Sequence, residues 1–230
     1  MATFEGFDKR TLTFFRELNK HNNKPWFTEH KGEYERYVLA PAQGFVTAMG
    51  AKLATIAPGV QAIPKINKSI FRIYRDTRFS KDKTPYKPYV GMLFWEGPLA
   101  KDENSAFYFH LEPEAIWIGS GIWKFSKRIL EAYRQAALHP VHGDALAEAL
   151  AKVRRRGYEI GGRRKKRVPP GFDPAHPRAE LLLHDGLYAG AQTAVPDELF
   201  SPRIVDWAFR HFKKTLELHQ WLTALVERSA

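Results

Sequence analysis

Three short runs of aromatic and β-branched residues in the middle of the chain constrain its fold most. The runs are Tyr89 to Trp95, Ala106 to Leu111 and Ala115 to Gly119, and the turn-like Glu112-Pro113-Glu114 separates the second from the third. Residues of these types are enriched in strands, and short strands joined by a tight turn pair in the antiparallel direction. The sequence therefore predicts a central antiparallel sheet or meander at about residues 89–119.

Helical patterns precede the predicted sheet. Asp8 is suited to cap a helix that runs to about Asn22, because its side chain can accept a hydrogen bond from the first turn. Further helical sequence extends from Trp26 to about Ile56, and an interruption is predicted at Pro41, which lacks a backbone N–H. The chain is therefore expected to begin with helices.

Helical patterns also follow the predicted sheet. Ser126 is a predicted N-cap for an amphipathic helix, a second helix spans about Asp144 to Arg155, and a last helix spans about Arg203 to Glu227. Pro202 fits the preference of proline for a first helical turn. Together these patterns predict an α+β fold in which N-terminal and C-terminal helices cover the central sheet.

Two stretches lack a regular pattern. Ile66 to Pro88 is the most charged and least periodic part of the chain, and it is interpreted as a loop with short strand pieces. Gly157 to Pro177 is a basic region rich in glycine and proline, and no strand is predicted there. Because no linker-like change in composition and no internal repeat interrupts the chain, residues 1–230 are predicted to form a single domain.

The sequence shows no targeting or membrane-spanning pattern. No run reaches the roughly 18 consecutive apolar residues of a membrane helix, and the first residues lack a basic region followed by an apolar run. The absence of cysteine excludes disulfides, thiolate catalysis and cysteine-ligated metals. We therefore expect a cytoplasmic protein without a membrane partner.

The charge balance favours anionic partners. Lys and Arg number 36 against 25 Asp and Glu, so the formal charge is +11 at pH 7. Such a charge attracts phosphates, nucleic acids and anionic surfaces before any specific contact forms. A solvated basic face explains the same charge equally well, so composition alone does not identify a partner.

Most of the candidate chemistry lies between Arg72 and Lys87. Six basic and two acidic residues give this segment a net charge of +4. Its three arginines are spaced by three residues and could converge on one planar anion, because each guanidinium offers a rigid fork of donors to carboxylate or phosphate. The sequence thus predicts a pocket for a small anion, with these ligand-binding residues: Arg72, Tyr74, Arg75, Asp76, Arg78, Lys81, Lys83 and Tyr86.

Other interpretations of this segment stay open. It could be a purely structural loop that is salt-bridged and pinned by Phe71, Ile73 and Phe79. In an enzyme, Asp76 or Asp82 would be the candidate general base, with arginines stabilising developing negative charge. The sequence does not decide whether the protein is an enzyme, and no cofactor is predicted.

A second basic run, Arg163 to Arg167, favours an alternative function. It could contact a nucleic-acid backbone without sequence specificity, because no zinc finger, RNA-recognition signature or glycine-rich phosphate loop accompanies it. A structural or interaction domain is the remaining alternative, and the oligomeric state is not predicted.

Four other positions carry weaker signals. Ser120 lies between two glycines and fits a turn at a strand end, and His110 fits a hydrogen-bonded histidine of the sheet. His139 to His142 is interpreted as a loop between helices, and no metal site is predicted because no carboxylate stands at ligand spacing. Trp26 is a candidate for the mouth of a pocket.

Several long strings of the chain closely resemble the family called domain of unknown function 2461, and the resemblance covers nearly the whole sequence. It implies a single compact cytosolic domain, mainly bacterial, in which the string from Arg72 to Lys87 is the hallmark, and it implies no reaction, cofactor or catalytic residue. Phe125 and Pro170 depart from the family pattern, outside the hallmark. The strings are Phe4-Glu5-Gly6-Phe7, Leu12-Thr13-Phe14-Phe15, Asn22-Asn23-Lys24-Pro25-Trp26-Phe27, residues 69–87, Gly171-Phe172-Asp173-Pro174 and His176-Pro177.

Overall fold

Helices lie before and after the main strands, as the sequence predicts. The computed structural model describes residues 4–229, and its elements confirm the α+β class. In chain order the helical elements are α1 (Lys9–Lys20), α2 (Lys24–Glu29), α3 (Lys31–Tyr34), a π-helical turn (Glu35–Leu39), α4 (Ala40–Leu53), α5 (Lys127–Leu138), α6 (Pro140–Arg155), a 3-10 turn (Ala179–Leu183), a second 3-10 turn (Asp197–Phe200), α7 (Arg203–Lys214) and α8 (Leu216–Ser229).

The strands belong to one six-stranded antiparallel sheet, in the order β1-β2-β3-β4-β6-β5. The predicted meander is confirmed, because β2, β3 and β4 are neighbours in both sequence and space. The strands are β1 (Val60–Gln61), β2 (Val90–Glu96), β3 (Ser105–Leu111), β4 (Ala115–Ile122), β5 (Glu159–Arg163) and β6 (His184–Ala194).

The sequence does not predict β5 or β6. β5 reads Glu-Ile-Gly-Gly-Arg and β6 is rich in alanine and glycine, so neither segment has strong strand propensity. The two strands pair with each other in antiparallel register, with an irregularity between Gly161 and Arg163 where Gly162 has φ +95°. Pairing with a neighbouring strand, rather than local propensity, therefore makes these segments strands.

The interruption predicted at Pro41 is the π-helical turn that precedes α4. Proline has no N–H to donate to the carbonyl four residues earlier, which belongs to Tyr37. The hydroxyl of Thr11 in α1 donates to that carbonyl instead. The chain stays helical through Pro41, because a side chain from α1 satisfies the acceptor that proline leaves open.

Two predictions about the later helices are wrong in detail. The segment His139 to His142 is not a loop, because His139 caps α6 and Pro140 is the first residue of that helix. The predicted last helix is divided into α7 and α8 at Thr215, whose hydroxyl donates to Phe212 O at 3.1 Å and competes with the helical backbone. Ser126 does occupy the N-cap of α5, but its hydroxyl makes no capping bond.

Chain contacts divide the protein into two compact units. Within the described residues, the first unit comprises the chain up to Phe94 together with Tyr108–Ile118 and Gln192–Arg210. The second comprises Trp95–Phe107, Gly119–Ala191 and the chain from His211 onward. The single domain predicted for residues 1–230 stays a prediction.

Each unit has its own buried apolar side chains. In the first unit, Phe45 of α4 contacts the rings of Phe7, Phe94 and Phe109. In the second, the apolar faces of α5, α6 and α8 pack together around residues such as Tyr133, which is fully buried. No helix within residues 4–229 combines the length and apolar character that a membrane crossing requires.

Gly119 of β4 lies too close to β6 for a larger residue. A Cβ built there would be 2.0 Å from the carbonyl oxygen of Ala189 and 2.7 Å from the Cα of Gly190. Both are backbone atoms, so they cannot move aside without disturbing the strand. Close backbone approach therefore requires glycine at this position of β4.

We predict that Gly119→Ala lowers the free energy of unfolding by about 1 to 3 kcal/mol or more, because the added methyl group overpacks the strand pair. Gly32→Ala is the matched control, since a Cβ at this helical glycine meets no atom within 4 Å. The control should be neutral or stabilising by about 0.5 to 1 kcal/mol. Urea unfolding measures both changes, and a G119A variant as stable as the parent would contradict the close approach.

Candidate functional site

The segment from Arg72 to Lys87 folds back on itself as a short two-stranded arm. An isolated antiparallel bridge joins Tyr74 to Tyr86. Two backbone hydrogen bonds extend it, from Arg75 N to Pro85 O at 2.9 Å and from Lys87 N to Ile73 O at 2.8 Å. The predicted loop with short strand pieces is confirmed, and residues 76–84 form the end of this arm.

Asn22, just after α1, fixes the arm in place. Its side-chain amide donates to Tyr86 O at 2.9 Å, and its side-chain oxygen accepts from Tyr86 N at 3.0 Å. One amide thus satisfies both backbone groups of a buried residue, as a neighbouring strand would. The Tyr86 ring also stacks on Phe27 of α2, with centroids 4.3 Å apart.

We predict that Asn22→Ala destabilises the arm, because it leaves both backbone groups of Tyr86 without these partners. The free energy of unfolding should fall by about 1 to 3 kcal/mol, the usual cost of unsatisfied polar groups. Asn19→Ala is the control, since Asn19 is exposed. Chemical denaturation and limited proteolysis of residues 72–87 test this, and equal protease resistance in the two variants would contradict the clamp.

A cleft of about 540 Å³ opens beside the arm. We call it the arginine cleft, because Arg75 is the arginine that lines it. The residues around it come from the end of α1, from both sides of the arm and from the start of β2. They are Asn19, Asn22, Arg75, Asp76, Asp82, Thr84, Lys87, Pro88 and Tyr89.

Arg75 is held in this cleft by one of its two terminal nitrogens. Nη1 donates to the Asp82 carboxylate and the Thr84 hydroxyl, and it lies 3.4 Å from the Thr84 carbonyl oxygen. In the part of the chain that the structure describes, no hydrogen bond leaves from Nε or Nη2. The side chain is 26% exposed. The guanidinium is therefore fixed on one side and has an unused pair of donors on the other.

The two aspartates of the segment are both occupied by nearby donors. Side-chain hydrogen bonds from Arg78 lower the pKa of Asp76 to about 2, and a backbone N–H of Thr84 together with Arg75 lowers the pKa of Asp82 to about 2. Carboxylates with such low pKa values are weak bases near neutral pH. The geometry therefore does not favour the general-base role considered for these residues.

The other predicted ligand-binding residues do not line the arginine cleft. Arg78 donates to both oxygens of Asp76, at 3.0 and 2.7 Å, and Lys83 donates to Thr77 O at 2.9 Å. Arg72 and Lys81 are exposed, as is Tyr74, whereas Tyr86 is buried. The structure thus brings Arg75 and Asp76 to one cleft and does not bring the three arginines together.

The structural alternative for the segment also needs a correction. Ile73 is buried and Phe71 is half-buried, as residues that pin a loop should be. Phe79, however, is 95% exposed at the end of the arm, with the Arg78 guanidinium 5.7 Å from its ring centroid. Phe79 therefore does not pin the loop, because nearly all of its surface stays in contact with water.

Tyr89 was missed by the sequence analysis as a residue of the cleft. Burial raises the pKa of its phenol, and the positive charge of Arg75 opposes that shift, so the hydroxyl lies within electrostatic reach of the guanidinium. Behind it, His110 stacks on the ring with centroids 3.9 Å apart. The position of Tyr89 at the junction of the arm and β2 gave no sequence signal beyond strand propensity.

His110 is a sheet histidine, as predicted, but only one of its two ring nitrogens has a hydrogen-bond partner among the described residues. Nδ1 shares a hydrogen bond with the Tyr108 hydroxyl at 3.1 Å, whereas the buried Nε2 has no partner among the described residues. Burial, with a smaller contribution from Lys87, lowers the pKa of His110 to about 4. The imidazole is therefore neutral at pH 7.

This depressed pKa predicts a loss of stability in mild acid. The unfolded chain binds a proton at His110 near pH 6.5 and the folded protein only near pH 4, so stability falls as pH drops between these values. The shift corresponds to a loss on the order of 3 kcal/mol. His110→Phe, which retains a ring against Tyr89, should flatten the dependence of the unfolding midpoint on pH in this window. An unchanged slope would show that other groups cause the acid sensitivity.

The weaker sequence candidates lie elsewhere. Ser120 is not in a turn at a strand end, since it lies inside β4, where it is buried and donates to Thr215 O at 3.2 Å. Trp26 lines a separate cavity of about 230 Å³ and stacks on His30 with centroids 4.1 Å apart. Within residues 4–229, no group of three or more metal-ligating side chains is positioned to hold a metal ion.

Comparison with known proteins identifies the type of chain but not its chemistry. A family model described as conserved hypothetical protein (DUF2461) matches residues 10–221, which include the arm and the arginine cleft. No curated protein and no solved structure matches the chain.

Proposed function

The chain belongs to the family described as conserved hypothetical protein (DUF2461), and because that description names no chemistry, we propose a function from the geometry of the arginine cleft. The protein binds a small ligand there through a carboxylate or phosphate group. The same proposal treats the chain as one domain that acts in the cytoplasm.

The unused edge of Arg75 is the observation that carries this proposal. All of its hydrogen bonds to described residues leave from Nη1, so Nε and Nη2 together present two parallel donors. Such an edge matches the two oxygens of a carboxylate or phosphate. Because Asp82 and Thr84 already fix the guanidinium, little side-chain freedom is lost when a ligand binds.

Other groups of the cleft support the same ligand class. Tyr89 lies within electrostatic reach of Arg75 and can donate its hydroxyl hydrogen, and Lys87 adds a second positive charge to the lining. Asp76 and Asp82 line the same cleft as ionised carboxylates, so two positive charges face two negative charges. This balance favours a ligand that carries one anionic group, or an anionic and a cationic group together, over a highly charged anion.

We predict that Arg75→Ala weakens binding, whereas Asp82→Asn strengthens it. Loss of a charge-assisted pair costs about 1.5 to 3 kcal/mol, so R75A should weaken affinity by roughly tenfold to a hundredfold. Asp82→Asn removes a negative charge beside the guanidinium, so the dissociation constant should fall severalfold. Thermal shift and calorimetry with acetate, succinate, glycine, inorganic phosphate and sulfate measure these effects.

Lys81→Ala is the matched control, because it removes an equal charge from an exposed position of the same arm outside the cleft. The control should retain the ligand-induced shift. A shift that survives in R75A, or that K81A loses to the same extent, would overturn the proposal in favour of diffuse charge. If none of the anions binds the parent protein and R75A only lowers stability, the structural interpretation of the arm replaces it.

A further inference from the structure

An exposed tryptophan stands beside the second basic run, in the second unit. Trp123 directly follows the end of β4 and is 67% exposed. A tryptophan ring combines a large apolar area with an N–H donor, so this exposed indole is suited to contact a partner. Neither the arginine cleft nor the apolar packing of the helices accounts for this side chain.

The indole is held in position by two neighbours. The ring of Tyr188 in β6 stacks against it at 4.9 Å between centroids, and the Arg164 guanidinium lies 4.7 Å from its centre. Nη1 of Arg164 in turn donates to Trp123 O at 3.0 Å and to Asp185 Oδ1 at 2.8 Å. The aromatic ring is therefore a preorganised element of the surface.

Unpaired cations adjoin Arg164 and Trp123 in the sequence. Lys165, Lys166 and Arg167 are exposed, and within residues 4–229 none of them forms an ion pair. Lys124, next to Trp123 in the chain, is also exposed, and it forms no ion pair within the same described residues. We call this area the tryptophan surface, and it consists of Trp123, Lys124, Arg163–Arg167 and Tyr188.

We propose that the tryptophan surface binds single-stranded nucleic acid. An unstacked base packs on the part of the indole that Tyr188 and Arg164 leave exposed, and the phosphates that flank this base are neutralised by Lys165, Lys166 and Arg167. Base stacking on an aromatic side chain tolerates any sequence, since every base has a π-face. The neutralised phosphates release counterions, which makes such binding strong at low salt and weak at high salt.

The observations favour a single strand over other polyanions. A duplex keeps its bases stacked on each other, so the indole would gain nothing from it. An anionic membrane would require several exposed apolar side chains that enter the interface together. Trp123 is the only large hydrophobic side chain exposed within residues 119–127 and 159–190.

Fluorescence anisotropy with labelled 12-nucleotide dT and rU strands tests the inference, and a 12-base-pair duplex serves for comparison. Trp123→Ala should weaken single-strand binding roughly fivefold to a hundredfold, because one stacked base contributes that much affinity. Trp123→Phe should retain most of the parent affinity, because its ring can still stack on a base. Duplex binding should be weaker and insensitive to Trp123→Ala.

A triple variant, Lys165→Gln with Lys166→Gln and Arg167→Gln, tests the phosphate contacts. Its affinity should fall at least tenfold at low salt, and the slope of log K against log salt should become shallower by about 2, since each single-strand phosphate contributes about 0.7. The matched control, Lys24→Gln with Lys65→Gln and Lys214→Gln, removes the same charge from other exposed positions.

Three results would overturn the inference. Equal losses in the two triple variants would reveal diffuse attraction by net charge. Strand binding unaffected by Trp123→Ala would remove the stacking platform. Vesicles of anionic lipid that bind in a Trp123-dependent way, when the strands do not, would assign the surface to a membrane. Because all of these variants apart from Lys24→Gln and Lys65→Gln lie in the second unit, the arginine cleft is tested independently.

Discussion

The long segment between β1 and β2 forms no regular strand ladder, so its shape is set by the need of each buried backbone N–H and C=O group for another hydrogen-bond partner. A buried N–H or C=O without a partner costs about as much as a lost hydrogen bond, so each must find one. Ser69 is fully buried. Its hydroxyl oxygen accepts a hydrogen bond from Ile63 N at 2.9 Å, and its carbonyl oxygen accepts one from Leu93 N at 2.8 Å. The bond from Leu93 attaches the segment to β2 before the arm begins.

The position of Arg75 follows from this attachment. The bridge between Tyr74 and Tyr86 continues the pairing, and Asn22 closes it by occupying both backbone groups of Tyr86. Arg75 stands one residue beyond the bridge, where its backbone N–H is bonded to Pro85 O. Its side chain therefore projects from a fixed backbone, which a mobile loop of the same composition would not provide.

Sequence reasoning predicted the elements whose signal is local and missed those whose signal is not. The aromatic strands β2 to β4 and the Asp8 cap of α1 were predicted, because propensity and capping act within a few residues. β5 and β6 were missed, since their glycines and alanines form strands only through pairing. The hallmark segment was recognised, but its cleft was not, because Asn22 and Tyr89 reach it from other elements.

The charges of the arm show the same limit. Alternating arginine and aspartate in sequence fits an anion site and a salt-bridged loop equally well, and the structure contains parts of both. Arg78 is matched by both oxygens of Asp76, and Lys83 holds a backbone carbonyl, so these cations stabilise the arm. Arg75 does so with one nitrogen only. The salt-bridged loop thus describes Arg78 and Lys83, whereas the anion site describes Arg75.

The two cationic regions of the protein differ in whether their cations have carboxylate partners. A cation with a carboxylate beside it contributes little to the field at a distance, so the arginine cleft relies on short-range geometry and suits a small ligand. Lys165, Lys166 and Arg167 have no such partner among the described residues, so their field extends into solvent and steers a polyanion before contact. The net charge of +11 is therefore a poor guide to function, because what decides the partner is which cations remain unpaired and what aromatic surface stands next to them.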